Sequence, residues 1–125
     1  DIAFPNTVRK MNKSSLLMIN VSNDTWFGNS IGPYHHLSIA RVRSIENNRY
    51  TIRATNDGIS AIISNKGTIV TLLNKGKSGI LEGNVKLIKN STFYSRYGHL
   101  FFIILSFIIG LIPFLKIVWK KVLRS

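Results

Sequence analysis

Apolar residues are spread unevenly along the chain, and the densest run lies near its C-terminal end. From Leu100 to Leu115 no charged residue occurs, and Ser106, Gly110 and Pro113 are the only breaks among large apolar side chains. As a helix this run is about 24 Å long, and extension to Trp119 brings it to about 30 Å, the thickness of a hydrocarbon core. The extension takes in Lys116, close enough to one end for its ammonium to reach the headgroups. Trp119 on one flank and Tyr94 and Tyr97 on the other stand where interfacial aromatic residues sit. A helix buried in a protein core is the alternative, but a chain of 125 residues has little other protein with which to cover it. The pattern predicts a membrane-spanning helix over 100–119.

Upstream, the apolar runs are short and punctuated. Ser15 to Ser22 (SLLMINVS) lacks regular polar alternation and reads as a strand buried on both faces, ending in the polar cluster Asn23, Asp24 and Thr25. After a turn-rich Gly28 to Pro33, with Pro33 suited to a first helical turn, His35 to about Asn48 reads as a helix. Its apolar residues Leu37, Ile39, Ala40, Val42 and Ile45 are scattered around the wheel, as in a helix packed on more than one side. Arg49 to Thr55 alternates and runs into the turn signal Asn56-Asp57-Gly58. Ile59 to Ser64 and Thr68 to Leu73 flank Asn65-Lys66-Gly67 as a hairpin, and Ser78 to Leu87 reads as a further strand. One apolar strand, a helix and then several strands predict an α/β or α+β layered domain.

Composition narrows the chemistry. Seventeen Lys and Arg against five Asp and Glu leave a net charge of +12, which favours anionic partners such as phospholipid headgroups or nucleic acid. With no cysteine, disulfides, thiolate metal sites and a cysteine nucleophile are excluded within these residues. Carboxylates are few and His35 and His36 are adjacent on a helix, so a metal centre is not expected, and no cofactor is implied. The arginines 41, 43, 49 and 53 lack the interleaved aromatics of a nucleic-acid platform and read as solvated charges or as ion-pair partners elsewhere in a longer chain. Asp1 stands where a Met would be expected, as in a processed product or the tail of a longer chain.

The segment richest in signals is Ser22 to Gly28. Two readings remain open for it. Trp26 and Phe27 at a strand end can wall a pocket for an acyl chain, with Asn23 and Asp24 as polar anchors. The same aromatics can instead cap the core while Asn and Asp make local turn hydrogen bonds. His36 is expected to be exposed or satisfied in the core, with a polar contact to the 22–28 loop as the alternative. Asn56-Asp57-Gly58 reads as a turn, and Lys75 as an exposed lysine. No catalytic constellation emerges from the residues themselves.

The run from Asn20 to Tyr97 resembles the C-terminal part of the bacterial apolipoprotein N-acyltransferase family, in the carbon–nitrogen hydrolase (nitrilase) superfamily. The resemblance is carried by Val21-Ser22-Asn23-Asp24-Thr25-Trp26-Phe27-Gly28, by Ser30-Ile31-Gly32-Pro33 with His36, and by Ile39 to Glu46. Arg53-Ala54-Thr55-Asn56-Asp57-Gly58 continues it, and Thr92, Tyr94, Arg96 and Gly98 fit the motif before the family's last membrane helix. The resemblance implies part of an α-β-β-α sandwich over residues 1–91, a linker over 92–99, the membrane helix over 100–119 and a basic cytoplasmic tail over 120–125. It implies acyl transfer from a glycerophospholipid, through a cysteine thioester, to the α-amine of a lipoprotein's N-terminal diacylglyceryl cysteine. That chemistry would take place on the periplasmic side of the bacterial inner membrane.

The family's Glu–Lys–Cys triad is not in this chain, and its nucleophile would align two positions before Asp1. Asp1 stands in place of the usual Glu, and Leu100 where a Pro often follows the pre-helix motif. Carried over residue by residue, Trp26 and Phe27 would form the aromatic wall, Asn23 and Asp24 the adjoining loop, and Asn56 and Gly58 the rim, with Asp1 beside them. Glu46 and the helix arginines read as structural. A soluble amidase of the same superfamily and a membrane-anchored basic module are the competing readings.

Overall fold

The computed structural model describes the backbone of residues 1–122 and the side chains of residues 1–113. Helix α1 (Pro5–Met11) precedes strand β1 (Met18–Asn23), which ends in a single 3-10 turn (Thr25–Phe27). Helix α2 (Gly32–Asn47) then leads to β2 (Thr51–Asn56), β3 (Ser60–Ile63) and β4 (Ile69–Leu73). A short α3 (Phe93–Tyr97) and the long α4 (Leu100–Val122) complete the order. The chain is thus a mixed α/β fold.

Strand order in the sheet is β1-β2-β3-β4. β1 and β2 are parallel, joined across α2, and they align Met18 with Thr51 and Asn23 with Asn56. β2, β3 and β4 form an antiparallel meander. Its first turn holds Asp57 at φ 51° and its second holds Gly67 at φ 76°. Gly67 is required twice over, because a Cβ there would also come within 2.7 Å of Ile45 on α2.

Helix α2 begins at Gly32 rather than His35, because the fixed φ of Pro33 fits the first turn and its missing N–H costs nothing there. It ends at Asn48, whose left-handed backbone (φ 53°) lets the amides of Asn48 and Arg49 close on Ile45 and Ser44. One face of the sheet packs on this helix: the core joins Met18, Ala61 and Ile63 to Leu37 and Ala40, with Ile2, Val8 and Ile59. The Ser44 and Thr51 hydroxyls pair across the same interface at 2.6 Å. α1 and α3 also contact α2, as its scattered apolar pattern suggests.

Three expectations need correction. β1 is not covered on both faces: Ile19 and Val21 are 72% and 79% exposed on the face opposite α2. Residues 78–87 form no strand. They run over the second face of the sheet, where a Cβ on Gly83 would lie 3.0 Å from Ile62, and reach β1's side of the molecule, where Ile88 donates to the Leu16 carbonyl at 3.2 Å. A segment that must return from β4 to β1 crosses the ladder instead of extending it.

The third correction concerns the arginines. Arg43, Arg49 and Arg53 are buried, with partners inside the chain. Arg49 donates to the carbonyls of Ser15 (2.6 Å), Asn48 (3.0 Å), Asn90 (2.7 Å) and Lys89 (3.3 Å), fastening two loops to the end of α2. Arg43 donates to the Ile2 carbonyl and to Glu46. Arg41 is exposed, but it too has a partner in the chain, the Gly67 carbonyl at 2.8 Å.

Residues 92–99, expected as a linker, contain α3, capped by the Thr92 hydroxyl at 2.9 Å from the Ser95 amide and gripped by Arg9 through the Ser95 and Arg96 carbonyls. From Leu100 to Pro113 every side chain of α4 is exposed. Among the described residues no helix is long and apolar enough to cross a membrane. The expected span reaches Trp119, and with the basic tail 120–125 it extends beyond the described side chains.

Candidate functional site

The residues singled out in the sequence gather at the C-terminal ends of the parallel pair β1 and β2, where open α/β sheets place their sites. Asn23 and Asn56 are register partners, and the Asn56 amide lies 3.5 Å from Asn23 Oδ1 and 3.4 Å from Thr25 Oγ1. Asn23 Oδ1 also accepts from the Thr25 amide at 3.2 Å, which shapes the turn. Both asparagines are exposed.

Asp24 is the centre of the arrangement and is fully buried. Its Oδ1 accepts from Ser22 Oγ at 2.8 Å and meets His36 Nδ1 at 2.9 Å, while Oδ2 accepts from Arg53 at 2.7 Å. Burial alone would push this carboxyl up. The hydrogen bonds from Ser22 and His36 and the charge of Arg53 outweigh burial and hold it below the usual carboxylate range. Burial likewise draws the Arg53 guanidinium down, and Asp24 draws it back. Arg53 also donates to Asn20. Ser22 and His36 both address the same carboxylate oxygen, so this is not a Ser-His-Asp triad, in which the imidazole must face the hydroxyl.

Gly58 makes room for the centre. A Cβ there would overlap Asp24 Oδ2 and come within 2.8 Å of Thr55 Oγ1. Gly58→Ala is therefore expected to destabilise the protein by about 1–3 kcal/mol through overpacking, read as a fall in the thermal midpoint; an unchanged midpoint would show that Asp24 shifts freely. Gly32 serves Phe27 in the same way, since a Cβ there would overlap the Phe27 ring.

Trp26 stacks on Phe27 with ring centroids 4.1 Å apart and remains 77% exposed. Phe27 in turn meets the edge of His36 at 5.9 Å. Asp1 is held by the Ala3 amide at 2.9 Å, and its carboxylate lies 3.6 Å from His36 Nε2. A groove of about 320 Å³ leads from Asp1 along β1 past Met18, Ile19 and Val21, and a polar hollow of about 500 Å³ lies beside Asn56, Asp57 and Gly58.

The roles of Arg53 and Lys75 escaped the sequence, while for His36 the less favoured of two readings holds. His36 makes the polar contact to the 22–28 loop and is not merely exposed or core-satisfied. Arg53 is the buried countercharge of Asp24. Lys75 is not an exposed lysine: its ammonium donates to the Gly28 carbonyl and lies 3.6 Å from Asp57, tying the β4 loop to both strand-end loops. The Asp24–Arg53 pairing was hidden until the β1–β2 register was known. Among the described residues no cluster of His, Asp and Glu could hold a metal ion.

The sequence model of the carbon–nitrogen hydrolase family matches residues 1–89, which include every one of these site residues. The chain belongs to that family. Its similarity to individual proteins extends further along the chain. It is 36% identical over 117 residues to the apolipoprotein N-acyltransferase of Shewanella oneidensis, covering 93% of this chain and 23% of that protein. To the enzyme of the same name from Rickettsia bellii it is 36% identical over 123 residues, covering 98% of this chain and 24% of that protein. To the one from Pseudomonas aeruginosa it is 39% identical over 97 residues, covering 78% of this chain and 19% of that protein. The chain spans about a quarter of the length of these relatives or less.

Proposed function

We propose that this chain is the C-terminal part of an apolipoprotein N-acyltransferase. The observation that carries this reading is the reach of the similarity: the family match ends at residue 89, yet the Rickettsia bellii relative aligns over 98% of the chain and so through most of the apolar tail. A soluble amidase of the family gives no reason for that second part.

In this reading the acyl ester of a glycerophospholipid is attacked by a cysteine thiolate supplied from outside these residues, giving a thioester and a lysophospholipid. The α-amine of a diacylglyceryl lipoprotein cysteine then attacks the thioester, forming an amide and releasing the thiolate. The contribution of the present residues is to bind and orient. Trp26 on Phe27 offers an apolar wall, Asn23 and Asn56 offer amides at the rim, and Asp24 fixes the loop between them. The exposed Ile19 and Val21 beside the β1 groove suit the second sheet of an α-β-β-α sandwich.

Residues 100–119 would cross the inner membrane, with the hydrolase portion 1–91 periplasmic, 92–99 as linker and 120–125 cytoplasmic. Support comes from the bare apolar surface of α4, which nothing in the described structure covers. Anchoring in the bilayer that holds both lipidated substrates raises their effective concentration. The test is an assay of the complete gene product in membrane vesicles with a phospholipid donor and a diacylglyceryl lipopeptide acceptor. Formation of the N-acyl lipopeptide is expected; hydrolysis of small amides without acyl transfer would overturn the reading in favour of an amidase.

A further inference from the structure

The structure assigns Lys75 a positioning role: it clamps the far end of the aromatic turn Thr25–Phe27 over the candidate site. The clamp deepens the acyltransferase reading and rests on it for its kinetic consequence alone. The turn is pinned at its start, where the buried Asp24 is bound by Ser22, His36 and Arg53. Beyond that point its backbone bonds are local: Phe27 donates to the Asp24 carbonyl at 3.0 Å, Gly28 to Thr25 at 3.1 Å and Ser30 to Phe27 at 3.2 Å. Local bonds fix the shape of a turn and leave its placement to contacts from elsewhere. Phe27 is seated against His36 and Gly32, but Gly28 beyond it, at φ 53°, has open space where a Cβ would stand.

Lys75 supplies the contact there from across the sheet. β4 lies three strands from β1, about 14 Å at the usual spacing. After β4 the chain makes a tight turn, Asn74-Lys75-Gly76-Lys77, closed by the Lys77 amide on the Asn74 carbonyl at 3.2 Å and by Gly76 at φ 73°. Lys75 stands at the second position of that turn, and its ammonium donates to the Gly28 carbonyl, 47 residues away in sequence. The Asp57 carboxylate, 3.6 Å from the same ammonium, adds attraction without a hydrogen bond. One cation thus joins the loops that follow β1, β2 and β4. With both ends held, Trp26 keeps one position relative to Asn23 and Asn56. Without Lys75 the turn pivots on Asp24 and Phe27, and the wall offered to an acyl chain opens part of the time.

The experiment reads one opening equilibrium in two ways in the complete gene product, held in phospholipid nanodiscs: hydrogen exchange at the amides of Phe27, Gly28 and Ser30, and acyl transfer. Lys75→Met keeps the stem and removes the donors. It is expected to speed exchange at those amides about fivefold, as for loss of one partly exposed charge-assisted bond. It should lower kcat/KM by a similar factor. Lys75→Arg, which still reaches the Gly28 carbonyl, should restore both to within about twofold. Lys66→Met, in the β3–β4 turn at the other end of the sheet, should leave both at wild-type values. Amides in β2 and β3 should exchange at wild-type rates in every variant.

Wild-type exchange at Phe27, Gly28 and Ser30 in Lys75→Met would overturn the proposal. So would exchange that quickens equally throughout β2 and β3, because Lys75 would then serve general stability. Faster exchange confined to the turn, with unchanged kcat/KM, would keep the clamp and overturn its kinetic consequence. The same confined exchange in a protein that transfers no acyl group would sink the acyltransferase reading and leave the clamp standing. Acyl transfer with wild-type exchange in Lys75→Met would sink the clamp alone.

Discussion

Arg53→Ala is expected to be the most damaging single change in this chain, costing about 3–5 kcal/mol of stability. Arg53 and Asp24 are both fully buried and meet at 2.7 Å, 29 residues apart in sequence. Removing the guanidinium leaves a desolvated carboxylate facing a cavity, and the hydrogen bonds from Ser22 and His36 cannot neutralise its charge. Replacing both partners by apolar residues of similar volume removes the stranded charge along with the attraction. The double variant Arg53→Met with Asp24→Leu should therefore lose less than the sum of its single changes, although His36 and Ser22 lose their acceptor in it. The measurement is the thermal midpoint of the complete protein; additive losses would show that the two side chains act independently.

The same pair sets an acid limit. The folded-state value of Asp24 is depressed, so its ionised form contributes stability that is fully present above the ordinary aspartate value of about 3.9. That contribution is lost as pH falls further, through the folded value. Asp24→Asn should flatten this limb of the stability curve while lowering the plateau at neutral pH.

What could be read in advance divides along a physical line. The β3–β4 hairpin was legible because Asn65-Lys66-Gly67 and the flanking apolar runs encode it locally. Helix α2 was legible from His35 to about Asn48 for the same reason, although its first turn, from Gly32, was read as part of the preceding turn. The misread strand at 78–87 involves a long-range choice. Ile80, Leu81, Val85 and Leu87 carry strand-like residues, but whether they extend the sheet depends on where the chain must go next. Arg49 holds Lys89 and Asn90 on the far side from β4, so the segment crosses the sheet face. α1 was passed over because a seven-residue helix with Val8 as its buried residue has almost no apolar period to detect.

The site divides in the same way. The Ser22 to Gly28 run was conspicuous in sequence, and its residues divide between buried and exposed positions. Asp24 makes the structural hydrogen bonds, while Trp26 is exposed and its part in a pocket is the matter for experiment. Gly58 was expected at the rim of a pocket; its visible role is to leave space for Asp24.

That division makes Trp26→Ala the most informative test of the pocket. Trp26 is 77% exposed and rests on Phe27 alone among the aromatic rings described, so its removal should change stability by about 0.5 kcal/mol or less, as for other surface positions. Phe27→Ala, by contrast, empties the space above Gly32 and bares the edge of His36, so it should lower the thermal midpoint measurably. If Trp26 packs against the acyl chain, its loss removes apolar contact worth about 1.5–3 kcal/mol, or roughly 10- to 100-fold in kcat/KM for acyl transfer. A rise in KM at constant kcat would assign Trp26 to holding the donor equally before and during reaction. A fall in kcat would mean that the indole orients the ester for attack. Unchanged kinetics with unchanged stability would remove Trp26 from the pocket and leave its exposure to be explained by contact with another part of the complete protein.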